Sequence, residues 1–302
     1  MENSGSRISV FRTGGPALRK IILEDPLSLR KITDSGQCFR PVELGSGLYR
    51  FVCGEHILYC RQDSLCELSV SCDEEEWEQR WRQYFDLDRS YAALCAPLLE
   101  PGGDPFLREA ICCGEGMRVL RQDPWEMLVS FTLSQRKSIP AIRTAVRLLC
   151  ERYGERKHTA YEGEAVALFP APEVLAQCSA EELGECGLGY RAAYVRDCAE
   201  KTCAGELLPE RLEKLPDDAL FEALCSVRGV GKKVANCVML FGYGRSKRVP
   251  SDVWMQRIVE QKYAGEEPFE HWGHAGLLQQ YVFYYALEHK EELRGQEKGE
   301  RK

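Results

Sequence analysis

The 302-residue sequence contains no run approaching the ~18 consecutive apolar residues of a membrane-spanning helix. Its opening, MENSGSRISVFRTGGPALRK, lacks the apolar core of a secretory signal. These two gaps lead us to expect a soluble protein with no membrane partner, in a bacterial cytoplasm near the nucleoid. Positive charge is also short: 40 Lys and Arg stand against 47 Asp and Glu, a net charge of −7. That excludes a histone-like or polybasic nucleic-acid binder. It leaves open binding through a local patch and backbone amides. Zinc spacing is missing as well. The 15 cysteines include one adjacent pair, Cys112-Cys113, but no C-x-x-C and no Cys/His cluster, and none follows Cys237. An odd number scattered through apolar segments, without an export signal, reads as reduced, buried thiols and not as a disulfide framework.

What remains is the composition of a folded protein, 44% hydrophobic and 29% charged. Between residues 50 and 70 the segments RFVC, HILYC and CELSV read as strands, the first two joined by a Gly54-Glu55 turn. Residues 1–100 are therefore expected to form a mainly antiparallel β domain with a helix near 74–85. The stretch 96–106, with three prolines and two glycines, reads as a boundary loop. From 101 to 302 the periodicity is helical. Residues 124–133 (PWEMLVSFTL) suit a helix buried on most sides, and Ile139, Ile142, Val146 and Leu149 keep a three-four spacing. Further helices are expected at 173–179, 180–186, 190–203, 216–226, 231–241, 253–263 and 275–293, before a charged, solvated end. The fold class is α+β, a β domain followed by a mainly helical one.

The segment 215–254 carries the chemistry. Pro216, Asp217 and Asp218 open a helix in the favoured way. Arg228-Gly229-Val230-Gly231 reads as a tight hairpin, both glycines being expected at positive φ, and Lys232 opens a second helix. Amides exposed at such a helix start bind phosphate without bulk positive charge. Helix–GVGKKVA–helix is more specific than a lone G-x-G, because turn, helix and lysine offset occur together. It is followed by the loop FGYGRSKRVPSD, which ends at Asp252.

This arrangement resembles the helix-hairpin-helix base-excision DNA glycosylase superfamily, and within it the 8-oxoguanine DNA glycosylase/lyase family. The resemblance spans most of the chain: SGQCFR at 35–40, YFDLDRSY at 84–91, GMRVLRQDPWE at 116–126, GLGYRAAY at 187–194, GVGKKVANC at 229–237, VPSDVW at 249–254 and AGLLQQYVF at 275–283. It implies a helical domain of two subdomains with the active site between them, acting on duplex DNA that contains oxidised guanine, with the protein as a monomer. It implies Lys233 as the nucleophile that attacks the sugar and forms a Schiff base, and Asp252 as the carboxylate that stabilises charge on the sugar. Asp252 is also an expected N-cap, and a direct ion pair with Lys233 would hold the amine protonated. Gly36 would accept a hydrogen from N7 of the lesion, Cys237 and Phe283 would flank the flipped base, and Gln279 would read its Watson–Crick edge. Tyr190 and Arg191 would wedge into the duplex and meet the base left opposite. Read without the resemblance, Cys237 and Phe283 are core residues, Gln279 is surface, and Tyr190 packs between helices. Gly229, Gly231, Arg136 and Arg248 are expected to contact DNA, with Lys137, Arg191, Arg245 and Lys247 completing a basic face.

The iron–sulfur cluster of endonuclease III relatives has no cysteines to hold it here, and no metal or organic cofactor is expected; a cation on the hairpin carbonyls near 225–231 would be structural. The chain departs from the animal-type pattern at Ser134-Gln135-Arg136-Lys137-Ser138, where an asparagine run would fill the hole left by the base, and at Trp254, where a histidine is usual. Two other readings stand beside this one: an alkylated-base glycosylase working through Asp252 alone, and a non-catalytic protein that binds DNA by the hairpin.

Overall fold

A computed structural model of the chain describes residues 17–159, 161 and 163–295. The start of the expected β domain and the end of the charged tail lie outside the described residues. Strands β1 (Arg19–Ile22), β2 (Val42–Gly45), β3 (Leu48–Cys53), β4 (His56–Ser64) and β5 (Glu67–Val70) form an antiparallel sheet in the order β1-β5-β4-β3-β2. β3 and β4 meet at the foreseen turn, where Cys53 pairs with His56 and Gly54 takes φ +58. Phe51, Leu58 and Leu68 are fully buried beneath a helical run over 74–84, whose Trp77 and Trp81 close the small core with Phe85. Asp73 starts that run by accepting from the Glu76 amide at 2.8 Å.

Other elements depart from the sequence reading. The region read as a loop at 96–106 holds the end of a helix, Tyr91–Leu99, capped by Ser90 and tolerating Pro97. Only 100–104 is irregular, and Asp104 then caps the helix Pro105–Cys113 through the Phe106 and Leu107 amides. Tyr91 and Cys95 pack into the helical core, which therefore takes in residues before position 101. Also unforeseen are the helix Leu29–Asp34, β1, and a hairpin of β6 (Arg156–His158) and β7 (Ala165–Ala167). These are short segments that owe their form to what they pack on more than to their own periodicity.

The helix Pro124–Leu133 is buried along almost its whole length, as its composition predicts. Asp123 caps it, with Pro124 in the first turn. It packs on the helix Lys232–Phe241, with Phe131 stacked on Phe241 at 5.3 Å. The β and helical parts are joined by buried polar groups: Arg40 pairs with Glu126 at 3.1 Å, and Arg118 with Asp25 at 3.3 Å. Two separate cores with polar ties between them leave a seam in which a site can form.

Candidate active site

The chain reverses between the helices Asp217–Cys225 and Lys232–Phe241. In the turn, Gly229 has φ +84, and a Cβ there would lie 2.3 Å from the Tyr194 ring, so a side chain has neither the conformation nor the space. Gly231 is not at positive φ as expected: its φ of −102 and ψ of −177 are open to any residue. What it contributes is clearance, since nothing lies within 4 Å of a Cβ built on it. It is the N-cap and supplies no capping side chain, leaving the first amides of the following helix without one.

Lys233 is half-buried and Lys232 exposed. The Lys233 Nζ donates to Ser134 Oγ at 3.4 Å and sits 5.5 Å from the centre of the Phe131 ring. One turn on, Cys237 is buried, and burial pushes its thiol up to about 11 although the Lys233 charge acts the other way. The thiol is therefore neutral at pH 7. Asn236 donates to the Val249 carbonyl at 3.0 Å and so fastens the 242–252 loop to the lysine helix. Asp252 at the end of that loop caps the helix Val253–Lys262, its Oδ1 accepting from the Trp254 amide at 3.0 Å and the Met255 amide at 3.1 Å. Among the described residues no ion pair joins Asp252 to Lys233.

Gly36 reaches the same place from the β domain. Its φ is +74, and a Cβ would meet Ile139 Cδ1 at 2.8 Å and Phe283 Cε1 at 3.3 Å. The carbonyls on either side are engaged, Ser35 by Gln280 and Gln37 by Gln122, each at 2.8 Å. The Gln37 side chain bonds the Arg118 carbonyl at 2.9 Å and the Leu120 amide at 2.7 Å, holding the turn rigidly. Among the described residues no donor takes the Gly36 carbonyl itself.

Two cavities share these walls. A cleft of about 850 Å³ is lined by Gly36, Arg136, Gly229, Lys233, Asp252 and Phe283, among others. A pocket of about 40 Å³ is lined by Gly36, Lys233, Cys237, Asp252, Gln279 and Phe283. Gly36, Phe131, Lys233, Asp252 and Phe283 line both, so the pocket and the cleft adjoin. Gln279 is buried and its Oε1 has no hydrogen-bond partner. Such an orphan acceptor costs roughly 1–3 kcal/mol, which an incoming donor would recover.

The remaining candidates are distributed differently. Gln135 donates to the Thr132 carbonyl at 3.1 Å and the Gly229 carbonyl at 3.0 Å, and Lys137 to the Gly187 carbonyl at 2.7 Å. Arg136 between them is exposed at φ +51, a strained conformation for a side-chain-bearing residue, and lines the cleft. Tyr190 is 53% exposed outside the cleft lining. Arg191 is buried instead of open: its guanidinium grips the Gln135 carbonyl, with Nε at 2.8 Å, and lies 4.4 Å from the Tyr190 ring centre. Residues of the expected basic face also have partners within the protein. Arg248 is held by Asp217 at 3.2 Å and Asp218 at 3.0 Å, and Arg245 by the carbonyls of Glu213 and Leu215. Of the hairpin carbonyls, Ser226 accepts from Lys201 at 3.0 Å and Gly229 from Gln135. Four residues with a part in the site were not singled out from sequence: Phe131, Ser134, Asn236 and Gln280. Asn236 lies three residues after Lys233 and Gln280 beside Gln279, so helical spacing offered a signal for the first and adjacency for the second.

A capped carboxylate, a lysine at a helix start and an unobstructed glycine at the hairpin fit the class of helix-hairpin-helix DNA repair proteins. Residues 129–269 match the HhH-GPD superfamily of base excision DNA repair proteins, and residues 20–128 the N-terminal domain of 8-oxoguanine DNA glycosylase. The chain belongs to the 8-oxoguanine DNA glycosylase/lyase family. It is 33% identical to MBOgg1, solved with a low-affinity DNA ligand, covering 91% of this chain and 96% of that one with a TM-score of 0.85. It is 30% identical to the Clostridium acetobutylicum 8-oxoguanine glycosylase/lyase, solved with duplex DNA containing cytosine opposite 8-oxoG, covering 92% and 99% with a TM-score of 0.81. The N-glycosylase/DNA lyase of Saccharomyces cerevisiae is 34% identical over 192 residues, 60% of this chain; the match spans only 50% of that relative's length.

Proposed function

We propose that the chain is a bifunctional DNA glycosylase/AP lyase that flips 8-oxoguanine out of duplex DNA and excises it. The observation that carries this reading is the pocket in which Lys233, Asp252, the free Gly36 carbonyl and the orphan Gln279 acceptor converge. Guanine-type bases present N1–H and N2–H donors to Gln279. Only the oxidised base also presents N7–H, and the Gly36 carbonyl is its acceptor. Cys237, as a neutral thiol, and Phe283 stack on the two faces.

With the base seated, the Lys233 amine bonds to C1′ as the C1′–N9 bond breaks, and the base leaves with the electron pair and takes up a proton. Loss of the ring oxygen from C1′ gives the Schiff base, from which a 2′ proton and the 3′ phosphate depart. Asp252, immobilised by its cap, stabilises the positive charge that builds on the sugar. Gln135 and Lys137 are committed to carbonyls, so Arg136 is the loop side chain that enters the vacated space, with Tyr190 as the exposed wedge. The protein works as a monomer, without a metal or organic cofactor.

An alkylated-base glycosylase would need no amine at position 233. Borohydride trapping on duplex containing 8-oxoguanine tests the reading: a covalent protein–DNA adduct is expected, and its absence with intact binding would sink the lyase assignment.

A further inference from the structure

A separate cavity of about 390 Å³ lies where β3, the helix Ile139–Tyr153 and the β6–β7 hairpin meet. Its volume is that of a small-ligand site. Five arginines line it, Arg40, Arg50, Arg143, Arg147 and Arg156, against two carboxylates, Glu151 and Glu164. A chain with a net charge of −7 thus gathers positive charge in one concavity, where low-dielectric walls focus the field. Arg40 and Arg50 form the floor, their side chains 7% and 15% exposed, while Arg147, at 58%, and the exposed Arg156 form the rim. Some of this charge is already matched: Arg40 by Glu126, Arg50 by Glu164, and Arg147 by Glu151 at 2.6 Å. The rest is unmet. The buried Nε atoms of Arg50 and Arg143 have no hydrogen-bond partner, and Arg156 has no ion pair among the described residues. None of these groups has a part in the excision reaction.

We propose that this cavity binds a phosphate-bearing anion through Arg50, Arg143 and Arg156, with Arg147 closing over it. Guanidinium forks match the spacing of phosphate oxygens and stay charged at any working pH. Such an anion has two sources, a free polyphosphate or the DNA backbone. Phe39 lines both this cavity and the catalytic cleft, so the two are neighbours. Depth separates the sources: a duplex phosphate reaches the rim, whereas a free anion also reaches Arg50.

The test titrates inorganic pyrophosphate into the full chain at constant ionic strength, followed by calorimetry, with and without saturating undamaged duplex. Saturable binding is expected, weakened about tenfold or more when both Arg147→Gln and Arg156→Gln are made, since charge-assisted hydrogen bonds are lost. Glu151→Gln removes the carboxylate that competes for Arg147 and should tighten binding about two- to fivefold, the worth of an exposed ion pair. Displacement of pyrophosphate by duplex, with a shallower salt dependence of duplex binding in the double variant, identifies the backbone as the source. Simultaneous binding identifies a free anion. Equal pyrophosphate binding by wild type and double variant overturns the proposal, as does no saturable binding together with an unchanged duplex salt dependence. These variants lie outside the cleft, so failed trapping in the wild type would count against the glycosylase reading and leave this result interpretable.

Discussion

Lys232 and Lys233 are neighbours in sequence with different surroundings, one exposed and the other against Ser134 and Phe131. Lys233→Gln should therefore abolish borohydride trapping while Lys232→Gln retains it; the reverse pattern would show that the nucleophile is misassigned. At the base edge, the proposed reading divides the work between two contacts. In it Gln279 sees the same Watson–Crick face in guanine and 8-oxoguanine, so only the Gly36 carbonyl would separate them. Its hydrogen bond is worth roughly 1–3 kcal/mol, about ten- to a hundredfold in selectivity. Duplex containing 7-deaza-8-oxoguanine, which lacks the N7 donor, should bind about that much more weakly than the natural lesion. Equal affinity for the two would remove Gly36 as the reader. In that reading, stacking on Phe283 would add about 1–3 kcal/mol for either base, so Phe283→Ala should weaken processing without changing the choice.

At the scale of elements, the loop 134–138 is held from two directions, by Gln135 on the hairpin and by Arg191 on the Gln135 carbonyl. Arg191→Ala should loosen Arg136 and slow excision of 8-oxoguanine more than cleavage at a preformed abasic site, where no base has to be displaced. Equal slowing on both substrates would place the role of Arg191 in folding alone. The Pro124–Leu133 helix offers a pH test. Burial raises Glu126 from an ordinary 4.5 to about 6, with Arg40 opposing. The folded protein thus holds this proton more tightly than the unfolded chain. The contribution of Glu126 favours folding below about 4.5 and is lost as the pH rises through 6. NMR of the Glu126 carboxyl should show a midpoint near 6; one at 4.5 would mean that the pair is solvated. Much of this arrangement was legible in sequence. The hairpin, the Lys233–Cys237 helix face and the Asp252 cap rest on contacts within a turn or two. What was not legible depends on distant partners. Arg248 looks unpaired in the string until Asp217 and Asp218, some thirty residues earlier, are folded against it. Arg191 looks exposed until the Gln135 carbonyl arrives from 56 residues away. Pro97 marks a break in the string, yet the helix runs through it.

Across the whole molecule, Arg245, Arg248, Arg191 and Lys137 each hold an acid or a carbonyl, which leaves Arg136 and Lys247 of the expected basic face open, with the exposed Lys232 beside the hairpin amides. Three phosphates neutralised at about 0.9 each predict a log–log salt slope for duplex binding near −3. A slope near −6 would mean that the held arginines exchange their carboxylate and carbonyl partners for phosphates, and one near zero that phosphates are not the anchor. The 15 thiols bear on a different matter, the chemical survival of the protein. Oxidants attack the thiolate, and burial pushes Cys38, Cys53, Cys150 and Cys198 up to about 12. At neutral pH only about one in 10⁵ of each is ionised. The exposed thiols, Cys112 and Cys203, line neither the cleft nor its pocket. Under peroxide, the protein would accumulate sulfenic acid first at these two outlying positions, while Cys237 beside Lys233 stayed reduced and the pocket kept its shape.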